Sequence, residues 1–275
     1  HYTYRDYFNV STAIAVSQES GIGTVNTIRR TKFETTFAGG VGLRGDYSAI
    51  FDYAMKVSSV DESNLNQSLI IVTPNTIDYG GITEMWEDGS AIAFCPLSED
   101  TYPYDARGII QHEAGGHGFG KLGDEYIYHN GFIEFCCPLD FATLNYGKSL
   151  GWYENLSLTG KMHEVPWSHL IFDDRYSDVV DIYEGGFKHA RGVFRSEQNS
   201  CMNNNISYFS AISREAIVKR IMEYAGESYS FEKFVENDKR DAVNSLSRSA
   251  ERLGVTVRGN QYAPRIHKGK PDILK

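Results

Sequence analysis

The sequence predicts an α+β fold, in which strands come mostly first and helices mostly later. Short apolar runs that end at a proline lie within the first hundred residues, whereas apolar residues at helical spacing fill the segment after residue 210. When strands and helices are segregated in this way, an α+β domain with a helix packed beside its sheet is favoured.

Local patterns define each element. Alternating or continuous apolar runs predict strands over residues 7–16, 68–73 and 90–95. Apolar residues at helical spacing predict helices over residues 46–57, 105–118, 213–225 and 238–253. Asp105 is expected to cap the second of these helices. The segment 131–199 is rich in glycine, aspartate and aromatic residues, and we expect it to be irregular.

The composition is that of a folded, acidic protein. With 275 residues, 41% hydrophobic and 13% aromatic, the chain suits one large globular domain or two small ones, with an ample core. We expect a single domain over residues 1–275, with a sheet-containing part over about 1–118 and a mainly helical part over about 119–275. The net charge of -9 argues against nucleic acid as a partner, because phosphate binding needs a basic surface. No apolar run approaches the roughly 20 residues of a membrane span.

The chain begins at His1 and has neither the n-region nor the h-region of a signal peptide, which predicts a processed protein. We therefore expect a secreted, periplasmic or cell-surface location. The four cysteines, Cys95, Cys136, Cys137 and Cys201, are too few for a disulfide scaffold, and one or two disulfides or free thiols both fit. Cys136 and Cys137 suggest a metal pair. However, adjacent cysteines rarely chelate one zinc, and a disulfide to Cys95 or Cys201 is an alternative of at least equal weight.

Residues 112–126 hold the densest set of metal-binding side chains. They read H-E-A-G-G-H-G-F-G-K-L-G-D-E-Y, which is nearly the H-E-x-x-H signature of zinc hydrolases. In that signature two histidines bind the metal, and the glutamate between them takes a proton from the attacking water. A catalytic zinc site keeps one position open for that water. Here the interval between His112 and His117 is five residues rather than four.

The longer interval predicts an unusual helix. In an α-helix each residue turns by about 100°, so side chains five apart point about 140° away from each other and cannot share one zinc. A π-type turn, with i→i+5 bonding, needs only about 80–85° per residue and restores a common face. Gly115 and Gly116 each cost a helix roughly 1 kcal/mol relative to alanine, which is hard to explain in a purely structural helix. We therefore predict a local π-bulge at residues 114–116.

Two carboxylates follow the glycine-rich turn. Asp124 is seven residues after His117 and is expected to be the third metal ligand, so that His112, His117 and Asp124 hold one catalytic Zn²⁺. Glu125 is expected to orient one of the histidines. In a rival assignment Glu113 and His117, which are four apart, bind the metal on a regular α-helix. That assignment leaves no obvious general base, and we rank it lower.

The segment 116–126 resembles the zinc motif of the IgA-peptidase family of metzincin-like zinc endopeptidases, in which H-E-x-G-H precedes a glycine-rich turn and D-E-Y. The aspartate of D-E-Y is that family's third ligand and corresponds to Asp124. The dipeptidyl-peptidase III family is similar to this chain in the extra residue, because its zinc helix reads H-E-x-x-G-H. Residues 183–187 and 192–202 are also similar to the IgA-peptidase family's Y-E-G-G…R-x-E-x-x-S-x-M segment. The resemblance covers roughly residues 5–225.

The resemblance implies a metzincin-like fold with a twisted mixed sheet packed against the active-site helix, and a secreted metalloprotease that cleaves peptide bonds. The substrate would be a protein or peptide, with host glycoproteins as a family-level candidate. Met202 corresponds to the methionine of the Met-turn beneath the metal. By its chemistry, Glu113 is the general base of such a hydrolase.

Other functions and residues stay open at this point. A non-catalytic adhesin or glycan-binding module that keeps a structural metal is the main alternative, and an amidohydrolase would use the same chemistry. Tyr126 and Tyr208 are candidates to stabilise the oxyanion, although tyrosines at such positions are more often core residues. The remaining histidines are expected at the surface or in substrate loops: His129, His163, His169 and His189.

Overall fold

Residues 2–238 and 264–273, which are the residues that the computed structural model describes, form both strands and helices, and the α+β class is confirmed. The chain divides into two compact units. The N-terminal unit consists of Phe8–Phe119 and Pro264–Lys275, and the C-terminal unit of His1–Tyr7 and Gly120–Ala263. Among the described residues, no helix is long and apolar enough to span a bilayer.

The N-terminal unit is built on a mixed four-stranded sheet. Its elements are β1 (Thr36–Phe37), β2 (Leu43–Arg44), α1 (Tyr47–Ala54), β3 (Leu69–Val72), β4 (Ile82–Trp86), β5 (Ala91–Phe94), α2 (Ala106–Ile109), a π-helix (Ile110–Phe119) and β10 (Arg265–His267), with a 3₁₀ turn at Leu65–Gln67. The sheet order is β10-β4-β5-β3, with β4 antiparallel to β5 and the other two pairs parallel. β1 and β2 form a separate antiparallel pair.

Alternation along β5 gives the sheet two different faces. Ile92 and Phe94 belong to the larger core with Phe51 of α1. Ala93 faces the other way and packs with Ala114 of the π-helix. Successive side chains of a strand point to opposite faces, so the bulky residues face α1 and the small one leaves room for the π-helix.

Three of the strand and helix predictions for this unit are confirmed, and one is wrong. The strands expected at residues 68–73 and 90–95 are β3 and β5, and the helix expected at 46–57 is α1, with Asp46 accepting from the Ala49 amide at 3.0 Å. No strand forms over residues 7–16. None of the described segments pairs with them, and their apolar side chains are exposed, 90% for Val10 and 81% for Ile14.

The C-terminal unit combines a second sheet with six described helices. It begins with a 3₁₀ helix at Tyr2–Tyr7 and continues with β6 (Ile127–Phe132), α3 (Ile133–Cys136), α4 (Pro138–Ser149), β7 (Leu156–Ser157), α5 (Ser168–Ile171), β8 (Tyr183–Gly186), β9 (Lys188–Arg195), α6 (Cys201–Asn204), α7 (Ala211–Ala225) and α8 (Phe231–Asn237). β9 is the central strand, parallel to β6 and antiparallel to β7 and β8. The core is built around Trp167, Leu170, Tyr176 and Ile212.

The expectation that residues 131–199 are irregular is wrong, because they contain α3, α4, α5, β7, β8 and β9. The turn between β8 and β9 places Phe187 and Lys188 at φ 46° and 71°, and neither residue type signals such a turn. The part of the chain that was expected to be mainly helical also contains strands among its described residues, β8 and β9 included. The helix expected at 213–225 is α7, which ends at Gly226 with φ 68°. The helix expected at 238–253 lies outside the described residues, apart from Asp238, which follows α8.

Candidate metal centre

The helix that carries His112 and His117 is a π-helix. It follows the short α2, whose N-cap Asp105 accepts a hydrogen bond from the Gly108 amide at 3.1 Å as predicted. The π-helix runs from Ile110 to Phe119. The predicted departure from α geometry between Glu113 and His117 is therefore confirmed. Its extent is larger than the predicted bulge at residues 114–116, because all ten residues are π-helical.

The two histidines converge. The Nε2 atoms of His112 and His117 lie 3.1 Å apart, and both residues are buried. Two imidazole nitrogens that bind one tetrahedral zinc at about 2.0–2.1 Å are about 3.3–3.4 Å apart. The pair therefore fits a shared metal ion with little adjustment. The rival pairing of Glu113 with His117 requires a regular α-helix, and the structure has none there.

Glu113 is held against β4. The hydroxyl of Thr83 lies 2.9 Å from Oε2 of Glu113 and 2.8 Å from its backbone oxygen, so its single proton can serve either. On the other side, a Cβ atom on Gly81 would lie 2.9 Å from Oε1. The carboxylate thus occupies a fixed place beside the strand. Burial, followed by the charge of Glu113, raises the pKa of the Cys95 thiol well above its ordinary value, so that Cys95 stays neutral.

In the C-terminal unit, Asp124 and Glu125 lie on a tightly held loop. Asp124 is buried, and its backbone oxygen accepts from the Phe187 amide at 2.7 Å. Glu125 is fully buried; its carboxylate accepts from Asn155 Nδ2 at 2.9 Å and from the Ser200 hydroxyl. Asn155 also bonds both the amide and the carbonyl of Gly123. These contacts fix the backbone that presents Asp124, and the expected contact from Glu125 to a histidine stays a prediction.

Met202 lies in α6, directly behind that loop. Ser200 caps the helix by accepting from the Met202 amide at 3.1 Å, and the Glu125 amide donates to the Met202 carbonyl at 2.8 Å. The Met202 side chain is fully buried with Leu122 and Ala216. Its place beside the loop agrees with an apolar floor, and the Met-turn role stays a prediction.

The two candidate oxyanion donors differ in their surroundings. Tyr126 is buried, with its ring centroid 5.2 Å from that of Tyr128. The hydroxyl of Tyr208 donates to Glu197, and the Arg214 guanidinium lies over its ring. Burial raises the pKa of Glu197 to about 7, although the charge of Arg214 and hydrogen bonds from Tyr208 and the Ala211 amide oppose the shift. The proton of Tyr208 is thus committed within this pair.

Sequence reasoning missed a second group of metal-binding side chains in the C-terminal unit. The prediction that His189 lies at the surface or in a substrate loop is wrong, because its side chain is fully buried on strand β9. It lies beside the thiols of Cys136 and Cys137. None of the four cysteines, all of which are described, forms a disulfide. No local signal in the sequence connects His189 with residues about fifty positions earlier.

Comparison with known proteins adds no family to these observations. A scan against protein-family models found no match, and a search of curated proteins found none either. Function is therefore inferred from the side chains themselves. The convergent histidines and the glutamate between them are the features with the most specific chemistry.

Proposed function

We propose that this chain is a zinc-dependent endopeptidase with a metzincin-like fold, which hydrolyses peptide bonds of protein or peptide substrates. The observation that supports the proposal best is the convergence of two buried imidazole Nε2 atoms, 3.1 Å apart on a π-helix, with Glu113 between them in the sequence. A structural ion does not require a carboxylic acid beside the first histidine, whereas a hydrolytic site does. The resemblance to the IgA-peptidase family points the same way.

Asp124 is the proposed third ligand. It is the first carboxylate after His117 in the chain, and it is buried in a loop that Asn155 and Met202 hold rigid. Two histidines and one carboxylate leave one position open, which suits catalysis rather than a closed structural site. This ligand set, with a glutamate base, favours zinc over harder or softer divalent ions.

Each side chain has a separate task. Bound zinc would supply Lewis acidity, which makes water nucleophilic near neutral pH. Glu113 accepts the proton that the attacking water loses, and it then donates this proton to the departing amine nitrogen. The Thr83 hydroxyl can donate to the Glu113 carboxylate, which favours the charged form that a base requires. The same bond keeps the side chain from rotating away between the two proton transfers.

The Glu113→Gln variant tests this function. We expect it to bind zinc as the unaltered chain does, because the histidines are untouched, and to cleave casein or a peptide library at least about 100-fold more slowly. Metal content by mass spectrometry and the initial rate of cleavage are the two measurements. Glu99→Gln, at an exposed loop position of the same unit, is the matched control and should keep full activity.

Two results would contradict the proposal. If Glu113→Gln cleaves as fast as the unaltered chain, this residue is not the base. If the zinc-loaded chain cleaves no peptide and a chelator changes only its stability, a non-catalytic adhesin or glycan-binding module with a structural metal is the better description. Secretion and a host glycoprotein substrate are part of the same proposal. A cleavage profile against glycosylated and unglycosylated proteins checks the substrate.

A further inference from the structure

Three metal-binding donor atoms meet in the C-terminal unit, and none of them belongs to a residue of the proposed active site. They are the Sγ atoms of Cys136 and Cys137 and Nδ1 of His189, and all three lie within 4.8 Å of one another. The two sulfurs are 3.3 Å apart, and Cys136 Sγ is 3.5 Å from His189 Nδ1. We propose that Cys136, Cys137 and His189 form a second metal site, which binds Zn²⁺ through two thiolates and one imidazole.

The backbone explains how adjacent cysteines can share one ion. Cys136 is the last residue of α3, and Cys137 directly precedes α4. The backbone of Cys137 has φ -143° and ψ 69°, which is neither a helical nor a regular strand conformation. This break between two helices turns both sulfurs to the same side. Gly131 lies next to the Cys136 sulfur. A Cβ atom at position 131 would be only 3.0 Å from Cys136 Sγ, so the absence of a side chain there gives the sulfur room.

The distances fit zinc. With Zn–S at about 2.3 Å and Zn–N at about 2.0–2.1 Å, a tetrahedral site separates sulfur from nitrogen by about 3.6 Å and sulfur from sulfur by about 3.8 Å. The distance of 3.5 Å between Cys136 Sγ and His189 Nδ1 already agrees. The sulfur–sulfur distance must grow by a few tenths of an ångström, which the partly exposed Cys137 can provide by side-chain rotation. Cys136 is exposed, so an ion can enter from solvent.

A carboxylate orients the imidazole. His189 Nε2 lies 2.9 Å from Oδ2 of Asp140, in the first turn of α4. Because a carboxylate accepts, the proton of a neutral His189 belongs on Nε2, and Nδ1 keeps its lone pair toward Cys136. A carboxylate on the far nitrogen is the usual partner of a metal-binding histidine, and it fixes both the tautomer and the ring. Lys188 Nζ donates to Oδ1 of Asp140 at 3.3 Å, which helps to hold the carboxylate in this position.

The site would join distant parts of the unit. Cys136 and Cys137 belong to the α3–α4 junction, whereas His189 belongs to β9, the central strand of the sheet. An ion bound to all three would tie this junction to the sheet. Thiolate and imidazole ligands suit zinc and exclude magnesium or calcium, which prefer oxygen. This inference does not depend on the proposed peptidase function.

Cobalt(II), a spectroscopic substitute for zinc, tests the proposal in the whole chain under a non-thiol reductant. A thiolate–cobalt charge-transfer band in the near ultraviolet reports sulfur ligation, which His112, His117 and Asp124 cannot produce. Because the chain has two proposed metal sites, we expect this band to saturate by two equivalents of cobalt and to disappear on zinc addition. Cys136→Ser, at an exposed position, should abolish it, and Asp140→Asn should weaken binding by about 10–100-fold.

Two controls separate the ligands from their neighbours. Cys95→Ser makes the same change at a thiol in the other unit, and His163→Asn changes a histidine that stacks on Phe172; both should keep the band. The proposal is wrong if the reduced chain shows no charge-transfer band, or if the band survives Cys136→Ser. It is also wrong if mass spectrometry finds a Cys136–Cys137 disulfide that persists in the reductant and leaves no thiolate to bind.

Discussion

Gly118 of the π-helix lies so close to Leu69 of β3 that a Cβ atom on Gly118 would be 2.5 Å from Leu69 Cδ1. A methyl group fits at this distance only if the Leu69 side chain, the strand or the helix moves. The glycine therefore allows the helix that carries His112 and His117 to lie close to the Leu69 side chain. The contact lies one residue after His117, so any shift of the helix here also moves a proposed ligand.

We predict that Gly118→Ala lowers the free energy of unfolding of the metal-free chain by about 1–3 kcal/mol, because it overpacks this contact. Urea unfolding in the presence of a chelator measures the change. The matched control is the same substitution in a Leu69→Ala background, where the methyl group has room and the cost of Gly118→Ala should be smaller. Equal costs in the two backgrounds would rule out the overpacking explanation.

Zinc binding at the histidine pair should depend on His117 and Asp124. We measure it by titration in a Cys136→Ser background, so that thiols do not contribute. His117→Ala should abolish binding, and Asp124→Asn should weaken it by more than the 10–100-fold that is typical for loss of a residue that only orients a ligand. Asp178→Asn, at an exposed carboxylate of the C-terminal unit, is the control and should bind normally.

Removal of the metal should destabilise the same protein. A ligand that binds only the folded state at about 100 times its Kd raises the free energy of unfolding by about 2.7 kcal/mol. Thermal unfolding with and without a chelator checks this effect, and His117→Ala should show none of it. A chelator effect that survives in His117→Ala would place the stabilising ion elsewhere.

Ser200 has two roles that can be separated. It caps α6 and donates to the buried Glu125 carboxylate, so Ser200→Ala removes the cap and also leaves a buried acceptor with one partner fewer. We expect a loss of about 2–4 kcal/mol, the sum of a cap and an unsatisfied buried group. Ser230→Ala is the control, because Ser230 caps α8 by a single bond to the Lys233 amide. It should cost only about 0.5–2 kcal/mol.

Stability should fall as pH rises through the titration of Glu197. Burial raises its folded-state pKa from 4.5 to about 7, so between these values the folded chain holds a proton that the unfolded chain has lost. The stabilising contribution is full below pH 4.5 and is lost by about pH 7 to 8. The difference between the unfolded-state and folded-state pKa of Glu197 corresponds to at most about 3 kcal/mol of the free energy of unfolding. Urea unfolding from pH 4.5 to 8 measures the slope.

Glu197→Gln should remove this part of the pH dependence, because the amide does not titrate. The unaltered chain should therefore lose about 1–3 kcal/mol more than the variant over the same range. Glu223→Gln, at an exposed position of α7, should follow the unaltered chain. Parallel curves for the unaltered chain and Glu197→Gln would show that Glu197 ionises normally in the folded state.

Local rules predicted the parts of the structure that local interactions decide. The apolar runs became β3 and β5, and Asp105 caps its helix, because burial and capping act over a few residues. The helix type at the histidine pair was also predictable, since two ligands of one metal must share a face. Its ten-residue extent was not, because shared ligation requires a common face only between His112 and His117 and says nothing about the residues beyond them.

Non-local pairing explains the errors. Residues 7–16 alternate as a strand does, but a strand needs a partner, and none of the described segments pairs with them. His189 is buried because β9 pairs with β6, and His129 and His189 are register partners in that pairing. The group that His189 forms with Cys136 and Cys137 therefore becomes visible only when the sheet is assembled.

The π-helix changes which sequence interval brings two side chains to the same face of a helix. Residues five apart on it occupy the places that residues four apart occupy on an α-helix, as the 3.1 Å between the His112 and His117 nitrogens shows. A sequence pattern that fixes the interval at four passes over this chain. A pattern that permits five residues, when glycines lie between the two ligands, would retrieve it and other chains of the same construction.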